Sequence, residues 1–368
     1  MASGWSKLRR LLKEEARGLV TIQSSDRGWQ MPFSAALASG VPLLVGAWFG
    51  RMDFGLIGSI GGLVFLYLPG TPMYHRMVSV MACAFGMIGC YALGVLSGSF
   101  PALMMPALVF MTILVSMVCR FYLIGPPGPI FFVMAASIGA YSHVEVLQVP
   151  QVVGLLAMGA LLACLIAFFY SLYMLRRHPP KPVAPLRAPT FDFVVFDSVI
   201  IGVFVGISLA IAQLLQLEKA YWVPVSCLAV IQGASLRAVW HKQLHRIVGT
   251  GIGLLLAWGL LLLPLNNWTI ALTMMALSCI IEFVVVRHYA IAAIFITPLT
   301  ILLAEAATLG HGSAAPLIEA RFYDTVIGCL VGLAGGACLH SERFRDVVGG
   351  QMRRLIPLRF ASKTGEPG

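Results

Sequence analysis

Apolar runs long enough to cross a hydrocarbon core of ~30 Å recur from Pro32 to His340, separated only by brief polar or basic breaks. Inside lipid a backbone must satisfy its own hydrogen bonds, so such runs are read as helices. The alternation of polar and apolar residues that marks a transmembrane barrel is absent. The pattern predicts an all-α polytopic membrane protein with twelve spans, at 33–50, 54–70, 77–98, 101–118, 126–142, 148–175, 194–216, 221–235, 247–265, 268–286, 288–307 and 317–340. Spans two and eight are short for a crossing. Making both re-entrant would put the basic loops at Arg76 and Arg237 to Arg246 on the opposite side from the other basic loops, so twelve crossings are expected.

Composition agrees with this pattern and changes only its weight. Of 368 residues 59% are hydrophobic and 11% charged, and mean hydropathy is +0.89, more apolar than a water-soluble domain can hide. The eight cysteines lie in or beside apolar spans with no CxxC and no adjacent histidine pair, so they read as packing residues and neither a disulfide frame nor a metal site is expected. Residues 1–31 hold charges throughout and no apolar core, which predicts an uncleaved first span and an amphipathic N-terminal segment lying on anionic lipid or docking a partner.

Charge fixes an expected orientation. With a cytoplasmic N-terminus, every lysine and arginine except Arg51, Lys219 and Arg321 falls on the inner face, which is the positive-inside pattern. The net charge of +10 is then mostly topogenic, and nucleic acid is not an expected partner. The segment 176–190, rich in proline and arginine, divides a first six-helix half (32–175) from a second (191–340), and a basic cytoplasmic tail follows at 341–368. The halves echo each other: HRMVSVMAC from His75 aligns with HRIVGTGIG from His245, and CRFY ending at Tyr122 with VRHY ending at Tyr289. Two parallel six-helix pseudo-repeats about an axis along the membrane normal are expected, with a solute path between them.

The stretch HKQLHRIVGTGIG from His241 has no strand before its glycines, so a phosphate-binding loop is excluded. Gly249 and Gly253 instead bare one helix face for close packing. His245 and Arg246 lie one turn before that face, where a carboxylate could find donors.

The second half resembles the FUSC family of fusaric-acid-resistance and aromatic-acid exporter proteins. The resemblance rests on Tyr221, Trp222 and Pro224, on Gln232-Gly233, on R-x-x-G-T (Arg246, Gly249, Thr250) and on A-R-x-x-D-T with its following glycine (Ala320, Arg321, Asp324, Thr325, Gly328). It covers roughly 190–340, and 30–175 only through the repeat, since Ser79-Val80 stands where the family has Gly-Thr. It implies efflux of small organic anions, often aromatic carboxylates, across a bacterial inner membrane, sometimes alongside a periplasmic adaptor protein. Plant aluminium-activated malate transporter channels are distantly similar, with paired six-span subunits, which implies that one chain here could do what a six-span dimer does there; a homo-oligomer is left open as well.

Ionisable residues at span depth are costly and mark pairs, interfaces or wet cavities. Arg76, Arg120, Arg246 and Arg287, at matching places in the two halves, could ring a cytoplasmic vestibule, or simply snorkel to the interface. Arg321 and Asp324 form either a helix-surface pair or part of a translocation site. Glu282, Glu305 and Asp324 are the candidate proton-coupling carboxylates. Trp222, Tyr289 and Gln232 are candidates for contacting substrate, the aromatics alternatively anchoring at the interface. No Walker motif and no nucleophile–base set is present, so a proton-driven transporter is expected rather than an enzyme, with no cofactor. A passive anion channel and a non-transporting subunit of an envelope complex are the competing readings.

Overall fold

Proline and glycine punctuation set the helix boundaries in the computed structural model, which describes residues 24, 27–142, 144–185, 190–305 and 314–355, without the side chains of 304–305, 314–317 and 355. The N-terminal segment, apart from its last residues, lies outside this range, as do 186–189 of the linker and 356–368 of the tail. Among the described residues there is no strand.

Twelve principal helices follow one another as α1 Gln30–Trp48, α2 Met52–Gly62, α3 Met73–Gly98, α4 Pro101–Phe121, α5 Ile130–Ala140, α6 Val149–Leu175, α7 Asp197–Leu214, α8 Trp222–Ile231, α9 Leu236–Leu261, α10 Asn267–Val284, α11 Tyr289–Glu305 and α12 Ala314–His340. Each corresponds to one apolar run. Local chemistry accounts for several starts. Pro101 opens α4 without wasting a donor, the Ser235 side chain accepts from the Ala238 amide to cap α9, and Asn266 with Thr269 forms a capping box on α10.

Eight of the twelve (α1, α3, α4, α6, α7, α9, α10, α12) are long and apolar enough to cross a membrane. The other four, α2, α5, α8 and α11, are shorter apolar helices. Alpha-helical rise gives the 10 residues of α8 only ~15 Å. The short eighth span is therefore a helix plus its turns rather than a full-length crossing. The fifth is shortened too, because Pro126-Pro127-Gly128-Pro129 holds off helix until Ile130.

Packed pairs recur six helices apart: α1–α2 and α7–α8, α2–α6 and α8–α12, α3–α5 and α9–α11, α3–α6 and α9–α12, α1–α6 and α7–α12. Contacts across the middle of the chain recur likewise, α1 on α10 and α4 on α7, whereas α5 packs on α8 much more closely than α2 does on α11. Glycines permit the tight pairs. A Cβ on Gly94 would stand 2.9 Å from the Ala136 Cα on α5, and one on Gly253 would stand 2.6 Å from the Ile294 carbonyl on α11. Gly94 and Gly98, at the end of α3, meet the second half of α5, whereas Gly249 and Gly253, in the middle of α9, meet the first turns of α11.

The tail is more than a basic extension. After α12, a helical segment from Glu342 to Leu355 folds back on the start of α7. Arg353 donates to both oxygens of Asp192 at 2.5 and 2.6 Å. Asp197, buried, accepts from Arg120 of α4 at 2.9 Å and pairs with Arg345 of the tail at 3.2 Å, while Phe344 packs on Phe196. One carboxylate thus ties together α4, α7 and the tail.

Two outcomes test this packing. Gly253→Leu is expected to abolish a monodisperse, folded protein in detergent, since overpacking at such a contact costs about 1–3 kcal/mol or more. Gly259→Leu on the same helix, where a Cβ meets nothing within 4 Å, is expected to behave as wild type by size-exclusion chromatography. Asp197→Ala should lower the thermal unfolding midpoint in detergent by several degrees, losing about 1.5–3 kcal/mol of charge-assisted hydrogen bonding.

Candidate functional site

Helix α8 is buried at every position from Trp222 to Ile231 and is the floor on which the charged side chains of the second half meet. Trp222 and Ser226 lie one turn apart on it, separated by ~6 Å along the axis. Helices α9 and α12 both pack on α8 and on each other, and each brings one arginine.

Arg246 comes from the inward face of α9 that also carries Gly249, Thr250 and Gly253. Gly249 admits α11 to close range, so that Tyr289, the first residue of α11, reaches the guanidinium. Nη1 of Arg246 donates to the Tyr289 hydroxyl at 2.9 Å and Nη2 to the Ser226 hydroxyl at 3.1 Å, while Nε has no partner. The Lys242 ammonium, one turn earlier on α9, stands 5.4 Å from the centre of the Tyr289 ring.

Arg321 comes from α12 with its guanidinium carbon 4.2 Å from the centre of the Trp222 ring. Its Nε and Nη1 are buried with no hydrogen-bond partner. Asp324, one turn further along α12, is 0% exposed, and neither of its carboxylate oxygens accepts a hydrogen bond. Two guanidiniums and one carboxylate thus sit buried together, with three unpartnered N–H-bearing nitrogens facing no protein acceptor. A fold gains nothing from leaving such groups unmatched, since each costs about 1–3 kcal/mol or more in desolvation. What the arrangement can do is receive an anion. Trp222 offers an aromatic face beside Arg321. On the outer side of the α9–α12 pair, Leu254, Leu255, Trp258, Ile318, Glu319, Phe322 and Tyr323 line an open apolar crevice of about 440 Å³.

The structure brings together Arg246, Tyr289, Trp222, Arg321 and Asp324 of the residues expected from sequence. Arg321 and Asp324 are not an exposed pair at a helix start; both are buried and they do not hydrogen-bond. Trp222, 2% exposed, lies under Arg321 rather than in an interfacial belt. His245 stacks on His288 at 4.9 Å beside the cluster.

Other candidates go elsewhere. Arg76 donates from Nε to the Thr71 carbonyl at 2.6 Å, Arg120 is committed to Asp197, and Arg287 donates to the Phe283 carbonyl at 3.3 Å. The four matching arginines therefore do not form one ring. Gln232 donates to the Leu228 carbonyl and lies near Gly128, at the α5–α8 contact. Glu282 pairs with Arg27 at 3.7 Å. The Glu305 side chain lies outside the described residues. Three participants were missed in the sequence: Ser226, Lys242 and, for the structural clamp, Asp197. Ser226 is a lone hydroxyl one turn after Trp222 in an otherwise apolar helix, and Asp197 is an acid that follows Asp192 into the start of a span; both signals were present.

Comparison with known proteins places this half. Residues 199–335 match the family model for fusaric acid resistance protein-like sequences, so the resemblance to the FUSC family holds over that segment. The uncharacterized membrane protein YvaC of Bacillus subtilis (strain 168) is 34% identical over 117 residues, 32% of this chain and 18% of that protein. The chain thus spans less than a fifth of that relative's length. No solved structure matches the chain. The family match and the helices together mark a multi-pass membrane protein.

Proposed function

We propose that this protein exports small organic anions, chiefly aromatic carboxylates, across a bacterial inner membrane, with both termini cytoplasmic and the proton gradient as driving force. Arg246 and Arg321 receive the carboxylate, and Trp222 and Tyr289 flank the ring. The observation that carries this reading is the set of buried, unpartnered guanidinium nitrogens on α9 and α12. Such donors lie where anion binding would repay their desolvation.

The same reading treats the chain as two six-helix halves, supported by the recurrence of packed pairs six helices apart. The site belongs to the second half alone. All its side chains come from α8, α9, α11 and α12, so the anion route runs beside the seam rather than along it. Arg76 and Arg120, bonded within their own surroundings, are scaffold.

Reconstitution into proteoliposomes tests this. The wild type is expected to move labelled benzoate uphill when a proton gradient is imposed and to stop on addition of a protonophore. Arg246→Ala and Arg321→Ala should each slow that flux by about 10–100-fold, the loss of one charge-assisted contact, with the protein still monodisperse. Wild-type flux in Arg246→Ala would overturn the site. Benzoate movement that follows only its own gradient would replace the exporter by a channel.

A further inference from the structure

The crevice of about 440 Å³ between α9 and α12 takes no part in the charged cluster. Leu255 and Trp258 on α9 and Phe322 and Tyr323 on α12 wall it, all four of them exposed. Its depth follows from the two spans. The apolar span of α9 ends at Leu261 and that of α12 begins at Ile318, so Trp258, Ile318 and Glu319 stand at one membrane boundary. Leu254, at the other end of the crevice, lies about two turns further in, ~10 Å. An open apolar cleft at that depth meets acyl chains rather than water.

Every residue lining the crevice is aliphatic or aromatic except Glu319, which is exposed. An acid at a span end adds little to topology, and a carboxylate against acyl chains needs a cation. We infer that the α9–α12 crevice binds a phospholipid with an amine headgroup, a phosphatidylethanolamine, whose acyl chain fills the cleft and whose ammonium pairs with Glu319. The inference is independent of the anion-site reading: it needs only that α9 and α12 cross the membrane.

Charge complementarity selects this occupant. A primary ammonium offers three N–H donors to the carboxylate, whereas the headgroup of phosphatidylglycerol brings a phosphate and no cation. The other charges of the neighbourhood are engaged elsewhere. Arg321 and Asp324 on α12 are buried, Arg321 lies over Trp222, and Lys219 in the turn before α8 acts on Asp324. On α9, Lys242 and Arg246 face Tyr289. Trp258 and Tyr323 supply the amphipathic rings that favour the boundary between headgroups and chains. A lipid held there touches both α9 and α12, the helices that carry Arg246 and Arg321, and stabilises their pairing by mass action.

Trp258 is one of seven tryptophans and the one that lines the crevice, so its fluorescence reads the occupant. The full-length protein is reconstituted in bilayers of equal phosphatidylethanolamine and phosphatidylglycerol, with the acyl chains of one or the other brominated as quencher. The Trp258 signal is the difference between wild type and Trp258→Phe. In wild type, brominated phosphatidylethanolamine is expected to be enriched at Trp258 about three- to fivefold over brominated phosphatidylglycerol, the range for one exposed ion pair. Glu319→Gln should bring that ratio to unity and Glu319→Lys should invert it. Equal quenching by the two lipids in wild type overturns the proposal, as does a Glu319→Gln protein that keeps the wild-type ratio. Absence of quenching by either lipid shows that no acyl chain fills the crevice and overturns it as well. The readout requires no flux, so a protein that moves no benzoate in proteoliposomes removes the exporter reading and leaves the lipid site standing.

Discussion

In a hydrocarbon layer no water is at hand to satisfy a polar group, so every backbone amide and every charge must find its partner within the protein or its ligand. That constraint shapes this molecule at two scales. It makes the backbone helical along each apolar run, and it makes each buried charge informative. Arg120, Asp197 and Arg345 answer it with one another and become a structural clamp. Arg246 and Arg321 answer it only in part, with a tyrosine, a serine and a tryptophan face, and keep unfilled donors.

The contrast between the halves follows from the same constraint. The inward face of α6 is Val152, Leu156, Gly159, Ala160, Ala163 and Ala167, with no charge on it, and its glycine meets Gly58 of α2 at backbone contact. On α12, which takes the corresponding place against α8, the inward face carries Arg321 and Asp324. The face of α6 turned to α2 is thus apolar, and the face of α12 turned to α8 carries charge.

Much of the fold could be read from the sequence because hydrophobicity is local and cumulative: each apolar run became one helix, and Gly249 and Gly253 became a helix contact. Helix length was less accessible, since a run such as 126–142 does not reveal that its Pro-Pro-Gly-Pro start will delay the helix to Ile130. Roles of arginines were least accessible. A basic residue at a span end satisfies the positive-inside pattern equally well when it bonds a carbonyl, as Arg76 does, or enters a site, as Arg246 does. The outcome depends on the face and the neighbours, which are tertiary. Trp222 was ambiguous for the same reason, because a belt tryptophan and one beneath a guanidinium look alike in sequence.

The four short helices connect the fold to the site. A helix of about 10 to 17 residues leaves its terminal amides and carbonyls at a depth where a long helix would not, and such ends are tolerated only where protein or a cavity receives them. Polar side chains gather there. The Tyr67 hydroxyl, in the turn that ends α2, donates to the Gly128 carbonyl before α5 at 2.7 Å, and His340 lies 3.1 Å from the Gly233 carbonyl after α8. At the start of α11 the corresponding polar residue is Tyr289, and its hydroxyl accepts from Arg246. Shortened helices thus bring hydrogen-bonding groups inward, and in the second half one of those groups holds an arginine at depth with a nitrogen to spare.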